Sequence, residues 1–233
     1  MGILQNWNDI SANEVKSRRS AFDAVFDSGK RDAMTEMEWE RLLKIRTSGR
    51  DSTCSGQYYY AYEPTPYSVL ERLADTGYIS KKNTLLDYGC GKGRVSFFMS
   101  WQTRCRSIGI EYDERMCKCF AKNLKKAVSG TRVILHQTYA QKYVVPPSAN
   151  RCYFFNPFSL EIFSEVLERI RESWYENPRR ILLFFYYPSD EYTAKLMTSD
   201  DMMFVDEVDC RDLFARNDSR ERILIFEMPK SNV

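Results

Sequence analysis

One histidine, His136, is all that this 233-residue chain contains. A metal site of several imidazoles is therefore excluded, and any histidine triad has to be built around that residue. Its place at an expected strand end reads as structural. Long apolar runs are lacking too: the longest, residues 181–187, is strand length and far short of the roughly 20 residues that span a bilayer. With no apolar signal region at the N-terminus, the expectation is a cytoplasmic protein without a membrane partner. The seven cysteines are odd in number and irregularly spaced, which gives no disulfide framework. Cys117 and Cys119 lie two apart in an expected helix, on different faces and with no second pair, so no metal site is expected. Charge of one sign is missing as well. The 34 basic and 32 acidic residues leave a net +2, no electrostatic footprint for nucleic acid. What remains, 43% hydrophobic residues in a chain of this length, is enough for a real core.

The informative stretch is residues 84–94, Thr-Leu-Leu-Asp-Tyr-Gly-Cys-Gly-Lys-Gly-Arg. An apolar run reaches Asp87, breaks into Gly89, Gly91 and Gly93 at every second position, and resumes as a helical pattern, so it reads as strand, turn and helix. Alternating glycines let a backbone turn tightly and approach a ligand, and free N–H groups at the helix start are expected to face it. The ligand should be nucleotide-like. Gly-x-Gly-x-Gly is not the Gly-x-Gly-x-x-Gly of dinucleotide folds, and the acid two residues before the first glycine also points away from NAD.

Upstream, residues 11–27 carry a moderate amphipathic helix pattern, and Thr35 and Glu38 have the spacing of a capping box ahead of Trp39, Leu42 and Leu43. These helices are expected to form an N-terminal helical extension over residues 1–57. Residues 47–56 read as a polar connector. Tyr58, Tyr59, Tyr60, Tyr62 and Tyr67 then surround Glu63-Pro64-Thr65-Pro66, an aromatic, stiffened loop that either packs or lines a ligand cavity. From Thr84 onward strand and helix patterns alternate. The expected fold class over residues 58–233 is α/β, a Rossmann-like sheet of seven mostly parallel strands. The second strand ends in Glu111-Tyr112-Asp113, the third runs into Gln137-Thr138-Tyr139, and the fourth stops at Asn156-Pro157-Phe158-Ser159. Ligands of such sheets lie beyond the carboxyl ends of the strands where the winding reverses. The glycine turn should therefore face residues 156–159 across one cleft.

At Asp87, Gly89, Gly91 and Gly93 the chain resembles the class I S-adenosylmethionine-dependent methyltransferases, whose first motif is an acid, one residue, and three alternating glycines. With its Asp-x-Gly-x-Gly-Lys-Gly-Arg and Phe-Asn-Pro-Phe it looks like a bacterial group of them. The resemblance implies S-adenosylmethionine as cofactor, held by Asp87, Gly89, Cys90, Gly91 and Gly93, with Glu111 accepting hydrogen bonds from both ribose hydroxyls. On that reading Glu111 can be removed without loss of the fold. Many relatives have an acid after the third strand for the adenine amino group; here Gln137, Thr138 or Gln141 takes that place, and Tyr112 or Tyr139 can stack on the ring. Asn-Pro-Phe resembles the Asp/Asn-Pro-Pro-aromatic motif of amine and amide methyltransferases, with one proline missing. It implies that Asn156 and the Pro157 backbone orient an acceptor nitrogen, although asparagine before proline is also a common turn starter. The acceptor, a small molecule or another partner, stays open. The alternative is a non-catalytic module that binds S-adenosylmethionine or S-adenosylhomocysteine.

Overall fold

A computed structural model describes residues 34–53 and 56–229, so the helix expected over 11–27 lies outside the described residues. The elements follow as α1 (Glu36–Leu43), α2 (Tyr67–Asp75), β1 (Thr84–Tyr88), α3 (Arg94–Gln102), β2 (Arg106–Glu111), α4 (Glu114–Leu124) and β3 (Val133–Gln137). After them come β4 (Arg151–Phe154), α5 (Leu160–Glu176), β5 (Ile181–Tyr186), α6 (Asp190–Met197), β6 (Met203–Asp209) and β7 (Arg222–Met228). The capping box forms: Thr35 N–H donates to Glu38 Oε2 at 2.7 Å and Glu38 N–H to Thr35 Oγ1 at 3.4 Å. Both groups satisfy amides that the first turn of a helix would otherwise leave without partners.

All seven strands join one sheet in the order β3-β2-β1-β4-β5-β7-β6. The first five are mutually parallel, and β7 runs antiparallel to both β5 and β6. The last two strands pair antiparallel as expected, but β7 inserts between β5 and β6 and leaves β6 at the edge. Alternation sends side chains to two apolar layers. On one face the Tyr88, Phe154 and Phe185 rings stack across β1, β4 and β5 at 4.8 and 4.9 Å, beneath α5 and α6. The other face buries Trp39 of α1 against Tyr67, Phe98 and Trp101, so the described part of the N-terminal segment shares the core of the sheet. The winding reverses between β1 and β4, and the loops beyond their carboxyl ends build the site.

Candidate functional site: the β1–β4 switch point

A cleft opens at this switch point. Asp87, Gly89, Cys90, Glu111, Tyr112, Asn156 and Pro157 line it, together with the tyrosine-rich segment and Thr138. The glycine turn and the Asn-Pro-Phe stretch do meet: a Cβ on Gly89, whose φ is +69°, would overlap the Pro157 ring. Gly91, Gly93 and Gln137 are not on the wall. Gly91 (φ +53°) is covered by the Tyr62 ring, which sits where a side chain at position 91 would go, whereas Gly93 makes room for Phe97 and Phe120 in the core. Gln137 is exposed, and Thr138, whose N–H donates to the Glu111 carbonyl at 2.9 Å, reaches the cleft instead. Cys90 is buried, its sulfur against Gly109. His136 packs edge-to-face on Tyr143, outside the cleft.

Four amides of the glycine turn itself are taken by the protein. Gly89 and Cys90 N–H both donate to the Ile110 carbonyl at 3.0 and 3.1 Å, Gly93 N–H to the Cys90 carbonyl at 2.8 Å, and Gly91 N–H to Glu111 Oε2 at 3.0 Å. Glu111, only 7% exposed, also accepts from the amides of Tyr112 and Asp113 at 2.9 Å through Oε1. Its carboxylate therefore holds the turn and the start of α4, so the expectation that it is dispensable to the fold is corrected. Beneath it, Asp87 Oδ2 accepts from the Ser96 amide at 3.1 Å and hydroxyl at 2.7 Å, tying β1 to α3. Burial pushes the Asp87 carboxyl up to about 7, helped by the charge of Glu111 and opposed by the Ser96 bonds. Burial raises Glu111 as well.

Asn156 has a φ of +38° and spends its side chain on the next loop: Nδ2 donates to the Tyr187 carbonyl, and Oδ1 accepts from Ser189 N–H at 3.2 Å. The Pro157 carbonyl accepts from Tyr60 N–H at 3.3 Å. Both carbonyls assigned to an acceptor nitrogen thus bond to protein groups, and the side chain of Asn156 ties the loop after β4 to the loop after β5. A roof covers the cleft. Asp51 and Tyr62 exchange backbone bonds of 3.0 and 2.8 Å, Tyr59 bridges Phe158, and the Tyr62 hydroxyl donates to the Thr47 carbonyl at 2.6 Å. Tyr59, Tyr112 and Tyr139 cluster at one end, Tyr112 and Tyr139 nearly parallel with centroids 5.5 Å apart.

The two basic residues of the glycine motif hold this roof, a role the sequence did not disclose. Lys92 Nζ donates to the Ser48 carbonyl at 3.0 Å and lies 4.7 Å from the Tyr62 ring centre. Arg94, 3% exposed, stacks on Tyr67 and donates to Thr47 Oγ1 at 2.7 Å, to the Thr65 carbonyl at 3.2 Å, and to Glu36 and Glu40. Among the described residues, no group of three or more histidines, cysteines or carboxylates is placed to hold a metal ion. No helix among them is long and apolar enough to cross a membrane.

With this arrangement in view, the chain can be set beside known proteins. Its fold is that of a Rossmann-like methyltransferase. A glycopeptide N-methyltransferase, MtfA, solved with S-adenosylmethionine, superposes with a TM-score of 0.54 at 11% identity over 70% of this chain and 87% of its own. The MccD protein gives 0.52 at 15% over 71% and 100%. A protein of the NADB-Rossmann superfamily from Streptococcus agalactiae gives 0.52 at 15% over 74% and 72%. At such identities the likeness is one of fold. In sequence, the chain is 30% identical over 76 residues to a protein-lysine N-methyltransferase of Saccharolobus islandicus strain REY15A, a stretch covering 32% of this chain and 47% of that protein. No family profile matches it.

Proposed function

We propose that the protein is an S-adenosylmethionine-dependent methyltransferase with its cofactor in the cleft at the β1–β4 switch point. The observation that carries this reading is the charge of the cleft. Two buried carboxylates, Asp87 and Glu111, stand at the glycine turn, whose amides at Gly89, Cys90, Gly91 and Gly93 are already bonded within the protein. The two arginines on the wall are also committed: Arg94 pairs with Glu36 and Glu40, and Arg115 with Asp51 and Asp113. A diphosphate, which needs open amides or cations, is disfavoured at a turn whose amides at positions 89, 90, 91 and 93 are engaged and beside arginines already paired with carboxylates. A nucleoside carrying positive charge suits the site. S-adenosylmethionine supplies a methyl group on a cationic sulfur, and the residues present fit it: Glu111 for the ribose hydroxyls, Tyr112 for the adenine ring, and Thr138 in the place given to Gln137. Asp87, bonded to the Ser96 amide and hydroxyl, fixes the turn from beneath. With a methyl donor so held, orientation and exclusion of water contribute more than acid–base groups, which suits a cleft roofed by tyrosines.

Thermal unfolding with S-adenosylmethionine, S-adenosylhomocysteine and NAD tests the reading. A ligand at a hundred times its dissociation constant adds about 2.7 kcal/mol. The sulfur nucleosides should raise the Tm and NAD should not; stabilisation by NAD alone would overturn the assignment.

A further inference from the structure

A second cleft lies against the first and shares a wall with it. Tyr60, Ala61, Glu63, Pro64, Phe155 and Asn156 line both. A molecule in the second cleft is separated from one in the first only by this partition, and the partition is a strained one. Asn156 and Tyr187, at φ of +38° and +50°, are non-glycine residues in left-handed backbone and are bonded to each other across the loops after β4 and β5. Strain of this kind costs of order 1–3 kcal/mol per residue and collects at functional sites.

The rest of the lining has a definite chemistry. Phe155, Tyr186 and Tyr187 form a ring cluster, with centroids 4.7 Å apart for Phe155–Tyr186 and 6.4 Å for Phe155–Tyr187, and Phe214 joins from the loop between β6 and β7. The charged residues on the wall are Glu63, Glu221 and Arg50. Arg50 is paired with Glu63 only at 4.0 Å, both side chains being more than half exposed. Glu221 Oε2 accepts the Tyr186 hydroxyl at 2.6 Å. Asp218 and Arg220 meet on the Tyr187 hydroxyl and offset one another, and the Arg220 guanidinium already lies over the Tyr187 ring, 4.4 Å from its centre. Two carboxylates against one arginine over aromatic rings favour a positively charged guest with an apolar body. An anion would meet repulsion, and a neutral ring would leave the carboxylates unused.

We infer that this second cleft binds the methyl acceptor through an alkylammonium group seated between the Phe155 and Tyr186 rings and the carboxylates of Glu63 and Glu221; the ammonium, which has no lone pair, anchors the molecule, and a separate unprotonated nucleophile on it takes the methyl group as the carbon–sulfur bond breaks to leave S-adenosylhomocysteine. Its identification as the acceptor site rests on the proposed methyltransferase reading; the preference for a cation does not.

Saturation-transfer NMR on the full chain, with n-hexylamine at pH 7.5 and n-hexanol as its uncharged counterpart, tests the inference. Hexylammonium should bind, hexanol at least about tenfold more weakly, and Glu221→Gln should weaken the amine by about tenfold, the effect expected for one bond to a charged group. Glutamine can still accept the Tyr186 hydroxyl, and the exposed Glu63→Gln gives a second variant without risk to the fold. Equal binding of hexanol, no loss in either variant, or stronger binding of adenosine or inorganic phosphate at the same residues would overturn it. Thermal shift with S-adenosylhomocysteine separates the two claims. A shift without amine binding sinks the cation site alone; amine binding without a shift sinks the acceptor role and the methyltransferase reading together.

Discussion

At the scale of single residues, the site is dominated by two carboxylates whose pKa values burial raises. Asp87 is raised from 3.8 to about 7, chiefly by desolvation. The native state therefore binds this proton more tightly than the unfolded chain, and stability falls as pH rises between about 4 and 7. The difference between the two pKa values sets a scale on the order of 4 kcal/mol. Asp87→Asn, which can still accept from Ser96, should remove that slope: urea unfolding at successive pH values should show its advantage over the wild type growing from pH 4 to 7 and flat above. An unchanged difference across that range would mean that Asp87 ionises freely. Glu111→Ala should act in two ways. Three backbone amides lose their acceptor, at about 1–3 kcal/mol each where water cannot replace it, and the nucleoside loses its ribose partner. Glu111→Gln keeps one oxygen acceptor and should fold better while still weakening S-adenosylhomocysteine in calorimetry; wild-type affinity in that variant would remove Glu111 from the ligand.

Among elements, the roof is the one whose behaviour can be stated. It is tied down by the Asp51–Tyr62 backbone pair, the Tyr62 hydroxyl on Thr47 and Lys92 on Ser48, and its underside is the Tyr62 ring on Gly91. Gly91→Ala puts a methyl group into that ring and asks alanine to hold a φ of +53°. The roof should lift while the sheet, which shares none of these bonds, keeps its cooperative unfolding. Trypsin cleavage after the exposed Arg50 should then be faster in Gly91→Ala than in the wild type, and S-adenosylhomocysteine should slow it in the wild type. Identical rates in the two proteins would disconnect Gly91 from the roof.

For the whole molecule, Arg94 joins parts that the sequence keeps far apart: α1 through Glu36 and Glu40, the connector through Thr47 and Ser48, and the segment before α2 through Thr65. Arg94→Met leaves Glu40 without its cation, and breaking such a pair typically costs about 3–5 kcal/mol. The urea midpoint should fall accordingly; a change under about 1 kcal/mol would show that α1 is held by Trp39 alone. By itself the sequence determined what repeats locally. Short apolar runs gave the strands, Thr35 and Glu38 the start of α1, and Asp87 with three glycines the turn between β1 and α3, because each pattern reports on neighbours a few residues away. Tertiary structure decided the rest. The strand pattern of residues 222–228 says that a strand exists but not that it lies between β5 and β6. The glycine spacing gives a tight turn without saying that Ile110 and Glu111 consume its amides. Asn156 has the same chemistry whether it meets a substrate or Tyr187 and Ser189, and only the approach of the loop after β5 selects the latter. The second cleft is assembled from residues 50, 60, 61, 63, 64, 66, 155, 156, 186, 187, 214 and 221, brought together by strand order and loop closure over distances along the chain that no local pattern records.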